Sequence, residues 1–369
     1  MDTPVRILQV VGNVGAGGLE TLIMNWYRKI DRTKVQFDFL VHHEEKAFYE
    51  DEILSLGGKV YHTSILDDKN LIKYLFFLND FFKQHKEYKV VHGHHSALGA
   101  IYLKAAQNAG VPVRISHSHI ASFSKTSRGL VKYIITRGYG KYANIHFACS
   151  NAAGIYMYGT KTNFTVIHNG IDIEKFKYRK EVREDFRRKM NLDGKLVVVH
   201  VGRFHDQKNH VFLLEIFAEI QKLNPDSILL MAGEGPLLES IKDKARNLKI
   251  EKSCFFLGNR NDINQLLCAS DVFVFPSLYE GLPLTLIEAQ TSGLPIVCSD
   301  TITNETKLCE NYTALSLKKD AKFWAREVIY IVQNQTNRDK YYVIVKKKNY
   351  DNYDVAMQMQ QFYLENSRI

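Results

Sequence analysis

Cysteine is scarce in this 369-residue chain, and the little there is excludes two kinds of chemistry. The five cysteines (Cys149, Cys254, Cys268, Cys298 and Cys309) are odd in number and scattered, with no Cys-x-x-Cys pair. That argues against a disulfide framework and a zinc site, and for free thiols in a reducing compartment. Long apolar runs are missing too: no stretch approaches the ~20 residues that a membrane-spanning helix needs. The opening Met1-Asp-Thr-Pro-Val-Arg6 lacks the basic, apolar, small-residue order of a secretory signal, so none is expected. There is no low-complexity tract and no solenoid period. Acid is absent from one long stretch, Tyr88 to Ile171, which holds nine basic residues. Those nine account for the whole net charge of +9. The densest part runs from Ser122 to Tyr142, where Lys125, Arg128, Lys132 and Arg137 alternate with Leu130, Val131, Tyr133, Ile134 and Ile135. It reads either as a helix with one solvated basic face or as a contact for an anionic surface. A nucleic-acid patch would use the same charge, but no recognisable module accompanies it, so no nucleic-acid partner is expected.

What is present is an alternation. The apolar fraction, 45%, is that of a soluble globular protein, and the length calls for two domains. Short apolar segments bounded by turn residues read as strands at Val5–Val11, Val35–Val41, Lys59–His62, Val90–Gly93, Pro112–His117 and Ile145–Ala148. Helical patterns such as Asn70–Gln84 lie between them. The pattern restarts after a join near Asn169–Lys175, with strands expected at Lys195–Val201, Ser227–Ala232, Cys254–Leu257, Val272–Phe275 and Ile296–Ser299. The reading is α/β, two doubly wound Rossmann-like domains facing across a cleft. The first is 1–170, joined by a C-terminal helix at about 350–369; the second is 171–349. In such folds ligands bind beyond the carboxyl ends of the strands, so the loops there carry the information.

Four loops qualify. Gly12 to Glu20 holds four glycines between a strand and a helix; it reads as a tight turn or as a loop lining a substrate cleft. It is not the dinucleotide fingerprint, because Glu20 stands where a third glycine is wanted. His117-Ser-His119 follows a strand and can donate hydrogen bonds or move protons. His92, His94 and His95 end another strand, but no acidic ligand is near in sequence, so no metal is expected. In Gly202-Arg203-Phe-His-Asp-Gln-Lys208-Asn209, the arginine fork and the lysine point charge suit a diphosphate. The most telling segment is Pro276-Ser-Leu-Tyr-Glu280-Gly-Leu-Pro-Leu284-Thr285-Leu-Ile-Glu288-Ala289. A strand meets a proline stop, a loop follows, and a helix opens near Leu284. Its start is a natural anion site, flanked by the carboxylates of Glu280 and Glu288.

Together these residues resemble the retaining glycosyltransferases of family 4, which have the GT-B fold. The matching segments are Val201-Gly-Arg203…Lys208-Asn209, Ala232-Gly-Glu-Gly-Pro236, Phe256-Leu-Gly258 and Pro276-Ser…Glu280-Gly…Glu288-Ala289. Val166-Ile-His-Asn-Gly-Ile-Asp172 resembles the family's interdomain crossing. In the first half, Gly17-Gly18-Leu-Glu20, Pro112-Val-Arg-Ile-Ser-His117-Ser-His119 and Ala148-Cys-Ser-Asn151 look like the polysaccharide-building branch. The resemblance covers nearly the whole chain and is most specific in the second half.

The resemblance implies roles. Arg203 and Lys208 would bind the donor diphosphate and stabilise the leaving group. Glu280 would hold hydroxyls of the transferred sugar, with a covalent nucleophile as its alternative role. Glu288 would bind the ribose, and main-chain N–H groups at Leu284 and Thr285 the phosphate. The loop from Gly258 through Arg260 to Asp262 would border the base, and Gly17 and Gly18 would let the first loop close over the diphosphate. Either His117 or His119 would be the family's cleft histidine. The donor would be a nucleotide sugar, UDP-linked by family habit, used as co-substrate with no other cofactor. The acceptor would be a glycan on a lipid diphosphate. The basic patch at Lys125, Arg128, Lys132 and Arg137 would hold the enzyme on the anionic inner face of the cell membrane, as a cytoplasmic, peripherally bound protein. Two rivals remain: a nucleotide-sugar epimerase or hydrolase of the same fold, and a non-catalytic GT-B partner subunit.

Overall fold

The computed structural model describes residues 3–120, 136, 138–334 and 337–367. Lys125, Arg128, Lys132 and Arg137 lie outside the described residues. The chain forms two compact units, one of residues 1–170 with 352–369, the other of residues 171–351.

The first unit is built on a parallel sheet of β1 (Val5–Val11), β2 (Val35–Val41), β3 (Val60–His62), β4 (Val90–Gly93), β5 (Val113–Ser118), β6 (Ile145–Ala148) and β7 (Thr165–Val166), in the order β3-β2-β1-β4-β5-β6-β7. Alternate residues of each strand point to opposite faces, and both faces are covered. Ile7, Val35, Phe37, Val90 and Ile115 pack one way, against Ile23, Met24, Trp26 and Tyr27 of the helix Gly18–Lys29. Leu8, Val10, Leu40 and Val91 pack the other way, against Tyr74, Leu78 and Phe82 of the helix Leu71–Gln84 and Tyr102 and Leu103 of the helix Gly99–Asn108. Asn70 caps the helix Leu71–Gln84, its side chain accepting from the Lys73 N–H. The tail helix, Asn352–Asn366, joins the first face through Val355, Ala356, Met359 and Tyr363.

The second unit repeats the plan with β8 (Leu196–Val201), β9 (Ser227–Ala232), β10 (Cys254–Phe256), β11 (Val272–Phe275), β12 (Ile296–Ser299) and β13 (Tyr312–Leu315), all parallel, in the order β10-β9-β8-β11-β12-β13. Val197, Val199, Leu230, Phe273 and Phe275 face one buried cluster; Val198, Leu229, Met231, Val272 and Val274 face another. Arg338 ties this unit together from inside. Its buried guanidinium donates to the carbonyls of Leu267, Ser270 and Ser292 and to the Ser292 hydroxyl, which satisfies a charge that would otherwise be costly to bury.

The expected two doubly wound α/β units are therefore present. Small differences are instructive. The strand expected at Lys195–Val201 begins at Leu196, and that expected at Cys254–Leu257 ends at Phe256. β5 runs on to Ser118, one residue past the expected end at His117. In each sheet the strand order reverses once, between β1 and β4 and between β8 and β11. At such a reversal the loops leave in opposite directions and open a crevice.

Candidate functional site

In the second unit the reversal point brings two loops together. Lys208 follows β8 and Glu280 follows β11, and their side chains form an ion pair of 2.6 Å at 16% and 8% exposure. The partnership is built by the backbone on both sides. Asp206–Lys208 makes one tight helical turn and Asn209 stops it at φ 55, a left-handed conformation asparagine tolerates. Asn209 Nδ2 donates to the Pro276 carbonyl at 3.1 Å, and the Leu278 N–H donates to the Gln207 carbonyl at 2.8 Å. Gln207 Nε2 reaches Glu280 Oε2 at 3.0 Å, so both carboxylate oxygens are held. The Lys208 ammonium also lies 4.6 Å from the Phe275 ring centroid, a cation–π contact.

Beside this pair the loops after β8, β9 and β10 are stitched by main-chain hydrogen bonds. Gly202 N–H donates to the Ala232 carbonyl, Phe204 N–H to Glu234, and Gly233 N–H to Gly258, at 2.9–3.0 Å. Gly233 and Gly235 are needed for this closeness. Their φ angles are +141 and +158, and a Cβ on them would collide with the carbonyls of Gly202 and Phe204. The stitched loops line a cavity of about 690 Å³. Arg203 and Arg260 both border it. Arg203 is exposed and has no ion-pair partner among the described residues. Arg260 is tied to Asp262 through Nε and one Nη, at 2.7 and 2.5 Å, which leaves its other Nη free to bind.

The helix Leu284–Thr291 opens behind Pro283 with no side-chain cap, so the first N–H groups at Leu284 and Thr285 keep their donor capacity. The Thr285 hydroxyl oxygen is buried without a hydrogen-bond partner among the described residues. The carboxylate of Glu288, half-buried on the same helix, makes no hydrogen bond among the described residues. Burial pushes its carboxyl up to about 7, against the pull of Lys175. The structure thus joins Lys208 to Glu280 and sets Arg203 with Arg260 on one cavity. Glu288 is bonded to none of them.

In the first unit the glycine loop leads into an uncapped helix at Gly17. Glu20 folds its carboxyl back over Gly17, where a Cβ would overlap its Oε2, and burial raises its pKa. Around Gly18 there is open space. An anion arriving at this helix start would have to displace Glu20.

The two sequence-predicted histidines, His117 and His119, sit at the end of β5 in a buried set with His92 and His94. His92, His94 and His117 offer nitrogens within 4.8 Å of one another, close enough to raise the question of a metal. The nitrogens are instead matched in pairs: His92 Nε2 lies 3.1 Å from His117 Nδ1, and His94 Nδ1 lies 3.0 Å from His119 Nε2. His92 stacks on His94 at 4.2 Å between ring centroids and His117 lies over His119 at 4.1 Å. Burial pushes the pKa of all four rings down, that of His119 to about 3, and keeps them neutral. Behind them Gln9 Oε1 accepts from His94 Nε2 at 2.9 Å, and the Tyr363 hydroxyl meets His92 Nδ1 at 2.6 Å.

Sequence reasoning missed Gln207, Gln9 and Tyr363. Gln207 lay inside a motif already singled out. Gln9 carried a signal, a lone amide inside the buried run Ile7–Val11 of β1, whereas Tyr363 looked like one more core aromatic of the tail.

Comparison with known proteins gives the site its context. The family profile described as Glycosyltransferase Family 4 matches residues 16–175, and that described as Glycosyl transferases group 1 matches residues 182–348. The putative glycosyltransferase EpsF of Bacillus subtilis strain 168 is 35% identical over 333 residues, 88% of this chain and 86% of its own. An Escherichia coli enzyme, UDP-Gal:alpha-D-GlcNAc-diphosphoundecaprenol alpha-1,3-galactosyltransferase, is 33% identical over 226 residues, 58% of each chain. Among solved structures, HepE of Anabaena in complex with UDP and glucose aligns with a TM-score of 0.74 at 17% identity, over 96% of this chain and 98% of that one. At that identity the likeness bears on the fold alone.

Proposed function

This chain belongs to glycosyltransferase family 4, with the GT-B fold, and from that premise we propose that it moves a sugar from a UDP-sugar to a lipid-diphosphate-linked glycan. In this reading the transfer retains anomeric configuration, needs no metal and serves surface-polysaccharide assembly at the inner face of the cell membrane. The observation that carries it is the Lys208–Glu280 pair at the β8/β11 reversal, beside an unpaired arginine and an uncapped helix start. A departing nucleoside diphosphate needs its growing negative charge stabilised. Arg203, Lys208 and the N–H groups at Leu284 and Thr285 are the groups to do it. Glu280, held by Lys208 and Gln207, is the acceptor for hydroxyls of the transferred sugar near its anomeric carbon. Glu288 is the acceptor for the ribose hydroxyls, and Gly258 with Arg260 borders the base. The bond from the anomeric carbon to the phosphate oxygen breaks as the acceptor oxygen bonds to the same face. The acceptor's proton passes to the leaving phosphate oxygen. The E. coli relative named above, whose acceptor carries diphosphoundecaprenol, supports the choice of acceptor class.

The test is a panel of nucleotide sugars incubated with the protein, with and without lipid-linked acceptor. Acceptor-dependent release of UDP from one donor is expected, and that donor alone should raise the melting temperature, since it binds the folded state. Donor turnover that never needs acceptor would favour an epimerase or hydrolase. No turnover and no thermal shift with any donor would favour a non-catalytic partner subunit.

A further inference from the structure

Two hydrogen-bonded chains in the first unit start from one amide. Gln9 is fully buried on β1. From its Oε1 one chain runs to His94 Nε2 at 2.9 Å and from His94 Nδ1 to His119 Nε2 at 3.0 Å. From its Nε2 the other runs to the Tyr363 hydroxyl at 3.4 Å, then to His92 Nδ1 at 2.6 Å, then from His92 Nε2 to His117 Nδ1 at 3.1 Å. Each chain ends on a buried atom with no hydrogen-bond partner among the described residues, His119 Nδ1 and His117 Nε2. An unpaired buried polar atom is destabilising, so two side by side mark a place where a ligand group restores what the fold leaves open.

The direction of every bond follows from the amide. A neutral imidazole has one donor and one acceptor, and so passes on the direction it receives. With the Gln9 carbonyl accepting from His94 Nε2–H, His94 Nδ1 must accept from His119 Nε2–H. His119 Nδ1 is then a bare acceptor. On the other side the amide N–H donates to Tyr363, Tyr363 donates to His92, and His92 Nε2–H donates to His117. His117 Nε2 is then a donor. Turning the amide over reverses both chains together. In either orientation one end is a donor and the other an acceptor, because an amide has one of each. A hydroxyl needs that pair: it accepts one hydrogen bond and gives one. The two rings lie over one another at 4.1 Å between centroids, which keeps the two open ends in one place.

We propose that Gln9 is a positioning residue whose single amide, relayed by Tyr363, His92 and His94, holds His117 and His119 as a matched donor and acceptor for one hydroxyl of a sugar substrate. The naming of a sugar rests on the glycosyltransferase reading above; the matched pair does not. Burial is part of the device, since a charged ring donates at both nitrogens and would break the match.

The experiment is proton–nitrogen correlation NMR of the full chain with labelled histidines, at neutral pH, with Gln9→Met and Tyr363→Phe as variants. In the wild type all four rings should be neutral and in one shared tautomer, Nε2–H with the amide as placed. Tyr363→Phe should mix the tautomers of His92 and His117 and leave His94 and His119 fixed. Gln9→Met should mix all four. General damage to the fold would instead disturb all four in both variants. UDP-glucose, UDP-galactose, UDP-N-acetylglucosamine and the free hexoses are then added in turn. At least one should shift His117 Nε2 and His119 Nδ1 together in the wild type, and each variant should lose about tenfold in kcat/KM with it. Charged or mixed rings in the wild type, or nitrogens that no sugar moves, would overturn the proposal. Locked tautomers that respond to sugar in a protein that transfers nothing would leave the pair standing and overturn the transferase reading.

Discussion

At the scale of single residues, one cation and one carboxylate carry the most chemistry, and each holds the other in place. In the proposed reading, a diphosphate competing for Lys208 would free Glu280 for sugar hydroxyls, which would make the ion pair a means of exchange. Lys208→Ala removes the cation and leaves a nearly buried carboxylate facing Gln207 alone. Glu280→Gln keeps the shape and removes the charge. Each is expected to lower kcat by a factor on the order of 10² or more, as the loss of a preorganised charge-stabilising group does. Folded variants with wild-type rates, checked by circular dichroism beside the activity assay, would show that these residues have been assigned wrongly. Glu288 predicts a pH effect. Its folded-state pKa, about 7, stands above the usual 4.5, so the folded chain binds the proton more tightly than the unfolded chain does. Its contribution to stability is therefore greatest below the usual value and is lost as pH rises towards 7. Melting temperatures measured between pH 5 and pH 8 should show that decline, and Glu288→Gln should flatten it; an unchanged slope would mean Glu288 is not buried as described. How much was legible also differs residue by residue. Lys208, Glu280 and Glu288 were legible because each sits in a compact motif beside a strand end. Gln9 was not, because its partners His94 and Tyr363 lie 85 and 354 residues away.

At the scale of elements, strands buried on both faces were the easiest to read. β1, β2, β4, β9 and β11 are short apolar runs with turn residues at their ends, and they fall where the sequence places them. The edge strand β13 was not read, and its half-exposed Tyr312–Leu315 shows why: outside the middle of the sheet the apolar signal fades. The helix Asn151–Tyr158 also escaped, since its apolar residues do not gather on one stripe, although Ser150 caps it by accepting from the Ala153 N–H. What no pattern of strands and helices could show is how tightly the loops after β8, β9 and β10 are joined. That tightness makes a prediction. Gly235→Ala should destabilise the second unit by about 1–3 kcal/mol, because its backbone angle suits glycine alone and the methyl meets the Phe204 carbonyl. Gly281→Ala meets nothing within 4 Å and serves as the neutral control. Urea unfolding of both variants checks the contrast, and equal stabilities would mean that the loops separate freely.

At the scale of the whole molecule, the acid-free basic stretch from Tyr88 to Ile171 falls almost wholly in the first unit, and the described surface adds an apolar patch to it. On the helix Leu71–Gln84, Ile72 and Phe76 are 69% and 72% exposed, with Leu71 and Leu75 beside them on the same face. Next to this face a groove of about 660 Å³ is lined by Lys83, Lys86 and Lys104 over Leu75, Ile101 and Tyr142. Exposed aliphatic and aromatic side chains beside lysines suit a surface that is apolar below and anionic above, which is the boundary of an acidic lipid bilayer. The proposed membrane contact then has two parts with different signatures. Ile72→Asn with Phe76→Asn should lower sedimentation with phosphatidylglycerol vesicles by about tenfold and leave the remaining binding sensitive to salt. Lys83→Glu with Lys104→Glu should lower it and remove most of that salt dependence, because the charge that salt screens is gone. Reversing Lys125, Arg128, Lys132 and Arg137 should weaken binding further if the whole basic stretch takes part. No helix among the described residues is long and apolar enough to cross a membrane. Vesicle binding that none of these substitutions alters would overturn this patch as the contact, and a wild-type protein that does not sediment with vesicles at all would leave a glycan reached in solution as its acceptor.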